Sequence, residues 1–344
     1  MYYKLRFKIC KEAWAMIKNK KFEKAINCQE QNIPPIWFMR QAGRYHNHYQ
    51  NLRKSYTFED LCKNPELAML TAMGPIEEFD FDVAILFSDI LFPLESLGLD
   101  LKYIPGPTFN EKIQPKHIKN LKSTREIAND LQFQSDALML TRKELSQDKS
   151  LVGFVGGPWT LLSFGAGIKK EPFVNNVDKN KFFEEALYDV LIPILKESIK
   201  SQLNSGAEIV YVFDTNAVQL EKNYFTDKYL LKLKKELFIP FKKRVAYFTK
   251  HGAVNEIDDI NNQFSLAGHV YNSPNDLTKR LASTRTGFIQ GNFAPESLRK
   301  EHSVFLHDYS LFKKQMLSLT KKERAGWICS LNHGILPKTP EKNV

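Results

Sequence analysis

The apolar residues fall into short runs separated by longer stretches with helical spacing. Eight runs rich in β-branched and aromatic residues stand out: 35–41 (PIWFMRQ), 82–89 (DVAILFSD), 150–157 (SLVGFVGG), 208–215 (EIVYVFDT), 244–250 (RVAYFTK), 264–271 (FSLAGHVY), 286–293 (TGFIQGNF) and 326–334 (GWICSLNHG). Most end in Gly, Pro, Asp or Asn. Their near-continuous apolarity suits strands buried on both faces of a parallel sheet. Between them the period changes. The stretch 123–145 opens Ser-Thr-Arg-Glu, a capping-box pattern, and puts Ile127, Leu131, Leu138 and Leu145 on one face. The stretch 182–203 does the same with Ala186, Val190, Ile194 and Ile199, and 295–322 contains another helix. Helices between consecutive buried strands define βαβ units. Eight such units predict an α/β fold, a single (β/α)8 TIM barrel; a doubly wound open sheet is the alternative. There is no internal repeat, low-complexity tract or Pro/Gly/Ser linker, so one domain is the simplest account.

In such barrels the chemistry sits at the C-terminal ends of the strands. In chain order these ends carry Arg40 and Arg44, Asp89, the loop after Gly157, Asp214 and Thr215, Lys250 and His251, His269, Asn292, and His333. Arg40-Gln41-Ala42-Gly43-Arg44 sets two guanidinium groups four residues apart, on one side if the segment turns helically, and Gly43 permits close backbone approach. The segment is either an anion-binding loop, since Arg grips carboxylates bidentately, or a pair of surface arginines in ion pairs. Asp89 is either a helix N-cap or a working carboxylate. Gly157-Pro158 is a turn, with Ser163 and Phe164 placed to wall a pocket. Thr215 offers a hydroxyl for a ligand or a cap, and His333, followed by Gly334, is a candidate for ligand contact.

Composition adds bounds rather than identity. The chain has 344 residues, is 43% hydrophobic and 26% charged, and carries a formal net charge of +10. The excess of Lys and Arg is scattered, which reads as a solvated surface more than as a nucleic-acid or membrane footprint. The four cysteines form no CxxC and no small disulfide scaffold, so reduced thiols and a cytoplasmic location are expected. The basic N-terminus lacks a long apolar core, and no run reaches membrane-spanning length. His46 and His48 lie in a polar loop without further nearby ligands in sequence, so no metal is expected. Phosphate-loop, GxGxxG and GxSxG patterns are missing. Together these absences point to catalysis by side chains alone, without cofactor.

Several segments jointly resemble the uroporphyrinogen decarboxylase family: PPIWFMRQAGRY (34–45), FSDIL followed by GLDL (87–101), GGPWTLLSF (156–164), VFDTNA (212–217), QGNFAPESL (290–298) and NHGILPKTPEKNV (332–344). They run in the family's order and at about its spacing from roughly residue 18 to the end. The domain organisation expected is therefore an extension over 1–17 and one barrel over 18–344. The resemblance implies a homodimeric, cofactor-free and metal-free enzyme that removes carbon dioxide from the four acetate side chains of uroporphyrinogen III. The product would be coproporphyrinogen III, on the way to haem. It assigns Arg40 and Arg44, with Gln41, Ala42 and Gly43 of their loop, and the Phe164 position to substrate binding. Asp89 is assigned to the pyrrole N–H groups and to charge stabilisation, and Thr215 and His333 to substrate carboxylates. Arg40 is in addition a candidate for proton delivery.

The chain also departs from the family pattern. Phe164 stands where the family usually has Tyr, Thr215 where it has Ser, RYHNHY replaces a RYLPEY-like run, AGHVYN replaces a segment that normally contains Asp, and SLNHG replaces NLGHG. Two alternatives follow: a barrel that binds porphyrinogen without turning it over, and a related zinc- or corrinoid-dependent methyltransferase. The latter needs a His/Cys ligand set, and no Cys lies beside a His at a strand end.

Overall fold

Nine strands form in the computed structural model, which describes residues 16–119, 123–168, 180–273, 277–283 and 285–344. They are β1 (Val83–Ile85), β2 (Leu101–Tyr103), β3 (Pro107–Phe109), β4 (Ser150–Gly156), β5 (Ile209–Asp214), β6 (Val245–Thr249), β7 (Gly268–Val270), β8 (Phe288–Phe293) and β9 (Trp327–Leu331). Seven of them make one parallel sheet in the order β1-β4-β5-β6-β7-β8-β9, with helices between successive strands. The expected extension, residues 1–17, lies almost wholly outside the described residues.

The run 35–41 occupies the eighth position but is not a full strand. One parallel bridge joins Ile36 to Cys329 of β9. The Cys329 N–H donates to Pro35 O at 3.0 Å and the Asp82 N–H to Ile36 O at 3.0 Å. This short crossing links β9 to the start of β1 and closes the barrel. Pro34 and Pro35 lack the N–H that a longer ladder needs, which is why the closure is so brief. The closed (β/α)8 barrel is thus the fold, and the open-sheet alternative is excluded.

The helices correct the sequence expectations in detail. Ser123 caps its helix as the pattern predicted, exchanging hydrogen bonds with Glu126, but the helix breaks at Leu131 into Thr124–Asp130 and Gln132–Glu144. The second predicted helix runs from Lys181 to Asn204, with π-type turns over Glu185–Leu191 just before Pro193. The third shortens to His302–Leu317, preceded by a single 3-10 turn at Ser297–Arg299.

Large side chains fill the barrel interior. The rings of Trp37 and Tyr211 meet edge-on at 5.0 Å, and both residues are fully buried. A polar thread crosses this core: Tyr211 Oη donates to Gln290 Oε1 (3.0 Å), Gln290 Nε2 to Ser330 Oγ (3.0 Å), and Ser330 Oγ to Trp37 O (2.8 Å). Buried donors and acceptors must be paired, and this chain of bonds satisfies them across strands that share no sequence neighbourhood. At the opposite rim, the N-terminal ends of the strands, Asp82 receives Asn19 Nδ2 (3.0 Å), Ile36 N–H (2.8 Å) and Lys21 Nζ (2.6 Å). That end of the barrel is built for stability, which leaves the other end for chemistry.

Candidate active site

The loop after the closing crossing is irregular and does not turn helically. Arg40 adopts φ +60°, a left-handed conformation that is rare for a residue with a Cβ. Two contacts hold it there. Gln41 is buried and its Nε2 donates to Val83 O at 3.1 Å, stapling the loop to β1. Tyr45 Oη donates to Gln41 O at 2.7 Å. The Gln41 side chain is thereby committed to the protein's own backbone. Ala42 and Gly43 are half-buried in the same loop, and Arg44 is exposed beyond them.

Arg40 and Arg44 do come together, through the loop rather than a helix. Enclosure among protein atoms pushes the Arg40 guanidinium below its ordinary value, Arg44 pushes it further, and Asp89 partly offsets both. The C-terminal segment packs on the same side. Ile335 N–H donates to Met39 O at 2.9 Å, and a Cβ on Gly334 would sit 2.6 Å from Arg40 Cδ.

Asp89 lies ahead of the helix Phe92–Ser96 without capping it: the N-cap is Leu91, and no side chain bonds into the first turn. Oδ1 accepts the Leu91 N–H at 2.8 Å just ahead of the helix Phe92–Ser96, and the second oxygen is left over. Burial raises the Asp89 carboxyl above its ordinary range, against the opposing effects of Leu91 N–H, Tyr103 and Arg40. Tyr103 was not anticipated from the sequence. It sits on β2 of a hairpin inserted after β1, and nothing periodic in GLDLKY marks it as a site residue.

The turn after β4 is held by structural bonds to the end of β5. Asp214 is fully buried and accepts Thr160 N–H (3.1 Å), Thr160 Oγ1 (2.8 Å), Tyr229 Oη (2.6 Å) and Tyr247 Oη (3.2 Å). Burial pushes its carboxyl up despite these donors. Ser163 is also buried, bonding Thr160 O and Asn216 Nδ2, so it lines nothing. Phe164 is 37% exposed near the end of the helix Pro158–Gly165. Thr215 is half-buried at the tip of β5, where a 3-10 turn begins.

His333 follows β9 and stands edge-on to Phe248 at 5.9 Å. Burial lowers its imidazole to about 4, with Arg40 and Lys250 adding to the effect. Lys250, at the end of β6, is thus a further cation of the mouth. Below these groups lies an aromatic floor, with ring distances of 5.6 Å for Phe154–Phe213 and 6.1 Å for Phe213–Phe248. The other histidines at strand ends belong elsewhere. His251 stacks on Phe225 at 4.0 Å and bonds Leu220 O, and His269 is buried against Asn261.

One group of possible metal ligands lies outside the mouth. His46, Glu78 and Glu341 bring ligand atoms within 4.8 Å of one another, so tertiary structure supplies the neighbours that the sequence did not. His46 Nε2 faces Glu78 Oε2 at 2.6 Å, while its buried Nδ1 has no partner among the described residues. A metal on Nε2 would leave a buried Nδ1–H without an acceptor, the opposite of the usual support for a ligating histidine. The arrangement reads as a hydrogen bond between the His46 imidazole and the Glu78 carboxylate.

Fold and site together define a class: a (β/α)8-barrel enzyme whose mouth gathers cations around one enclosed carboxylate above an aromatic floor. The family model described as uroporphyrinogen decarboxylase (URO-D) matches residues 17–344. The chain is 33% identical over 342 residues to the uroporphyrinogen decarboxylase of Orientia tsutsugamushi (strain Ikeda), covering 94% of this chain and 95% of that one. It is 36% identical over 338 residues to that of Helicobacter pylori (strain Shi470), covering 92% and 94%. The chain belongs to the uroporphyrinogen decarboxylase family. A solved structure of a methyltransferase from Methanosarcina mazei shares the fold, with a TM-score of 0.66 at 15% identity over 95% of this chain and 96% of that one.

Proposed function

We propose that this chain converts uroporphyrinogen III to coproporphyrinogen III by removing carbon dioxide from its four acetate side chains. What carries the reading is the half-buried Asp89 carboxyl at the mouth of the barrel, electrostatically coupled to the Arg40 guanidinium. A substrate with eight carboxylates needs a cationic entrance, and Arg40, Arg44 and Lys250 supply it. His333 is neutral at physiological pH because its imidazole is lowered to about 4, so it can hydrogen-bond a carboxylate without adding charge. Thr215 offers a hydroxyl to the same end.

The chemistry follows from electron flow. Each turn consumes one proton and releases one carbon dioxide. A proton added to the electron-rich pyrrole makes the ring an electron sink, and the C–C bond pair flows into it as carbon dioxide leaves. Protonation of the new methylene carbon and loss of the ring proton give the methyl group. The cation that forms on the ring is stabilised by ionised Asp89, which also accepts pyrrole N–H groups. Arg40 binds the reacting acetate. Its lowered affinity for the proton is the direction that proton delivery requires. No metal or cofactor enters this scheme.

The wider assignments are part of the same proposal. One barrel domain over 18–344 follows an extension over 1–17, and the enzyme works as a cytoplasmic homodimer without nucleic-acid partners. Free Cys28, Cys62 and Cys329 suit a reducing compartment. No helix among the described residues is long and apolar enough to cross a membrane.

The test is anaerobic incubation of the purified protein with uroporphyrinogen III, then oxidation and chromatography of the porphyrins, with Asp89→Asn in parallel. Stepwise seven-, six-, five- and four-carboxylate products, greatly reduced in the variant, support the proposal. Unchanged substrate under conditions where a known decarboxylase works refutes it. In that case Phe164, which lacks the hydroxyl usual in the family, points to a porphyrinogen-binding barrel.

A further inference from the structure

We propose that Tyr103 is the positioning residue for Asp89: its hydroxyl donates to the carboxylate oxygen that Leu91 leaves open and holds the carboxylate toward the pyrrole N–H groups. This rests on the decarboxylase reading above. The Tyr103 ring is clamped by Phe58 at 4.7 Å and Phe92 at 6.4 Å, so its hydroxyl has little freedom to point elsewhere. The backbone fixes it as well. Tyr103 pairs with Pro107 across the hairpin, and Ile104 N–H donates to Gly106 O at 3.0 Å in the turn.

The hydroxyl oxygen is buried and has no formed hydrogen bond among the described residues. A buried hydroxyl without a partner carries a cost, and structures retain such groups where a function uses them. Asp89 is the acceptor within reach, interacting with Tyr103 while its other oxygen is taken by the Leu91 N–H. Catalytic hydrogen bonds are often long in the unliganded state and tighten when substrate binds. Two further elements face this pair with titratable groups. Arg40 comes from the first loop, Cys62 from the helix Phe58–Lys63, and Glu59 from the same helix acts on Tyr103 and Cys62. Burial holds the Cys62 thiol well above its ordinary value, so it stays neutral and leaves Asp89 to Arg40 and Tyr103. A hydroxyl on the hairpin therefore supplies the mouth with a donor that Phe164 cannot.

The experiment compares wild type with Tyr103→Phe across pH in anaerobic turnover. The expected result is a loss of about tenfold in kcat, as for a hydrogen bond to a charged group, little change in KM, and an acidic limb moved to higher pH. A second comparison adds Tyr103→Phe to Asp89→Asn, where no further loss is expected because the two act as one unit. A profile that superimposes on wild type, or losses that add fully, overturns the proposal. The Asp89 carboxyl is also titrated directly by carbon-13 NMR in aspartate-labelled protein, assigned through Asp89→Asn. Its midpoint rises in Tyr103→Phe if the hydroxyl acts on it, and an unmoved midpoint overturns the proposal. This readout needs no turnover, so an inactive wild type sinks the decarboxylase reading while the pairing of Tyr103 with Asp89 is still decided.

Discussion

Gly334 lies directly against the alkyl stem of Arg40: a Cβ there would meet Cδ at 2.6 Å, Cγ at 2.8 Å and Cβ at 3.2 Å. The residue after His333 is thus small because the stem of Arg40 occupies its space. Gly334→Ala should displace Arg40 from its left-handed position and lower kcat/KM by at least about tenfold, since small misplacements at a reacting centre are costly. Thermal melting should change little by comparison. Steady-state kinetics together with a melting curve check this, and unchanged kinetics would show that Arg40 need not stand where it does.

The ionisation of Asp89 sets a direction for pH dependence. The role proposed for it requires the carboxylate, and burial raises the group above the ordinary range. Activity should therefore fall as pH drops, beginning above the pH at which an exposed aspartate would protonate. His333, lowered by burial to about 4, stays neutral through the physiological range, so its variants test hydrogen bonding rather than charge. His333→Asn, which keeps a neutral donor, should retain more activity than His333→Ala. Rate profiles of the wild type and both variants decide the assignment.

Gly157 is a packing prediction. A Cβ there would lie 2.1 Å from Asp214 Cγ, inside a carboxylate already bound by Thr160, Tyr229 and Tyr247. Gly157→Ala should destabilise the fold by about 3 kcal/mol, the upper end for overpacking a rigid site, measured by denaturant unfolding. His251→Ala belongs with it. Loss of the ring stacked on Phe225 should reduce stability with little effect on KM.

Glu208 governs a pH dependence of stability at the far rim. Burial raises its carboxyl from 4.5 to about 7, against Ser150, Lys18 N–H and Arg142. A carboxyl whose folded value lies above its unfolded value stabilises the fold fully below the unfolded value, and that contribution is lost as pH rises through the folded value. Between roughly pH 4.5 and 7 the wild type should lose on the order of 3 kcal/mol relative to Glu208→Gln. Unfolding titrations of the two proteins at pH 4.5 and 8 provide the check, and parallel curves would contradict it.

The sequence by itself determined what depends on local pattern. Strand and helix periods, the turn residues that end them, and the anionic or cationic ends of the strands are properties of near neighbours, so the barrel was legible from eight apolar runs. The resemblance in RQAGRY, FSDIL and NHGILPKTP was equally local, and it pointed to Arg40, Arg44, Asp89 and His333 before any contact was visible. Tertiary structure decided everything that closure brings together. It reduced the run 35–41 to one bridge with Cys329, because adjacent prolines cannot extend a ladder. It turned Gln41 inward to Val83, diverted Asp214 and Ser163 to structural bonds, and gave His46 its acidic neighbours. It also delivered Tyr103 and Lys250 to the mouth. Tyr103 carries no signal of its own, because its place depends on groups far away along the chain, and a sequence records spacing along the chain while a closed barrel sets distances across it.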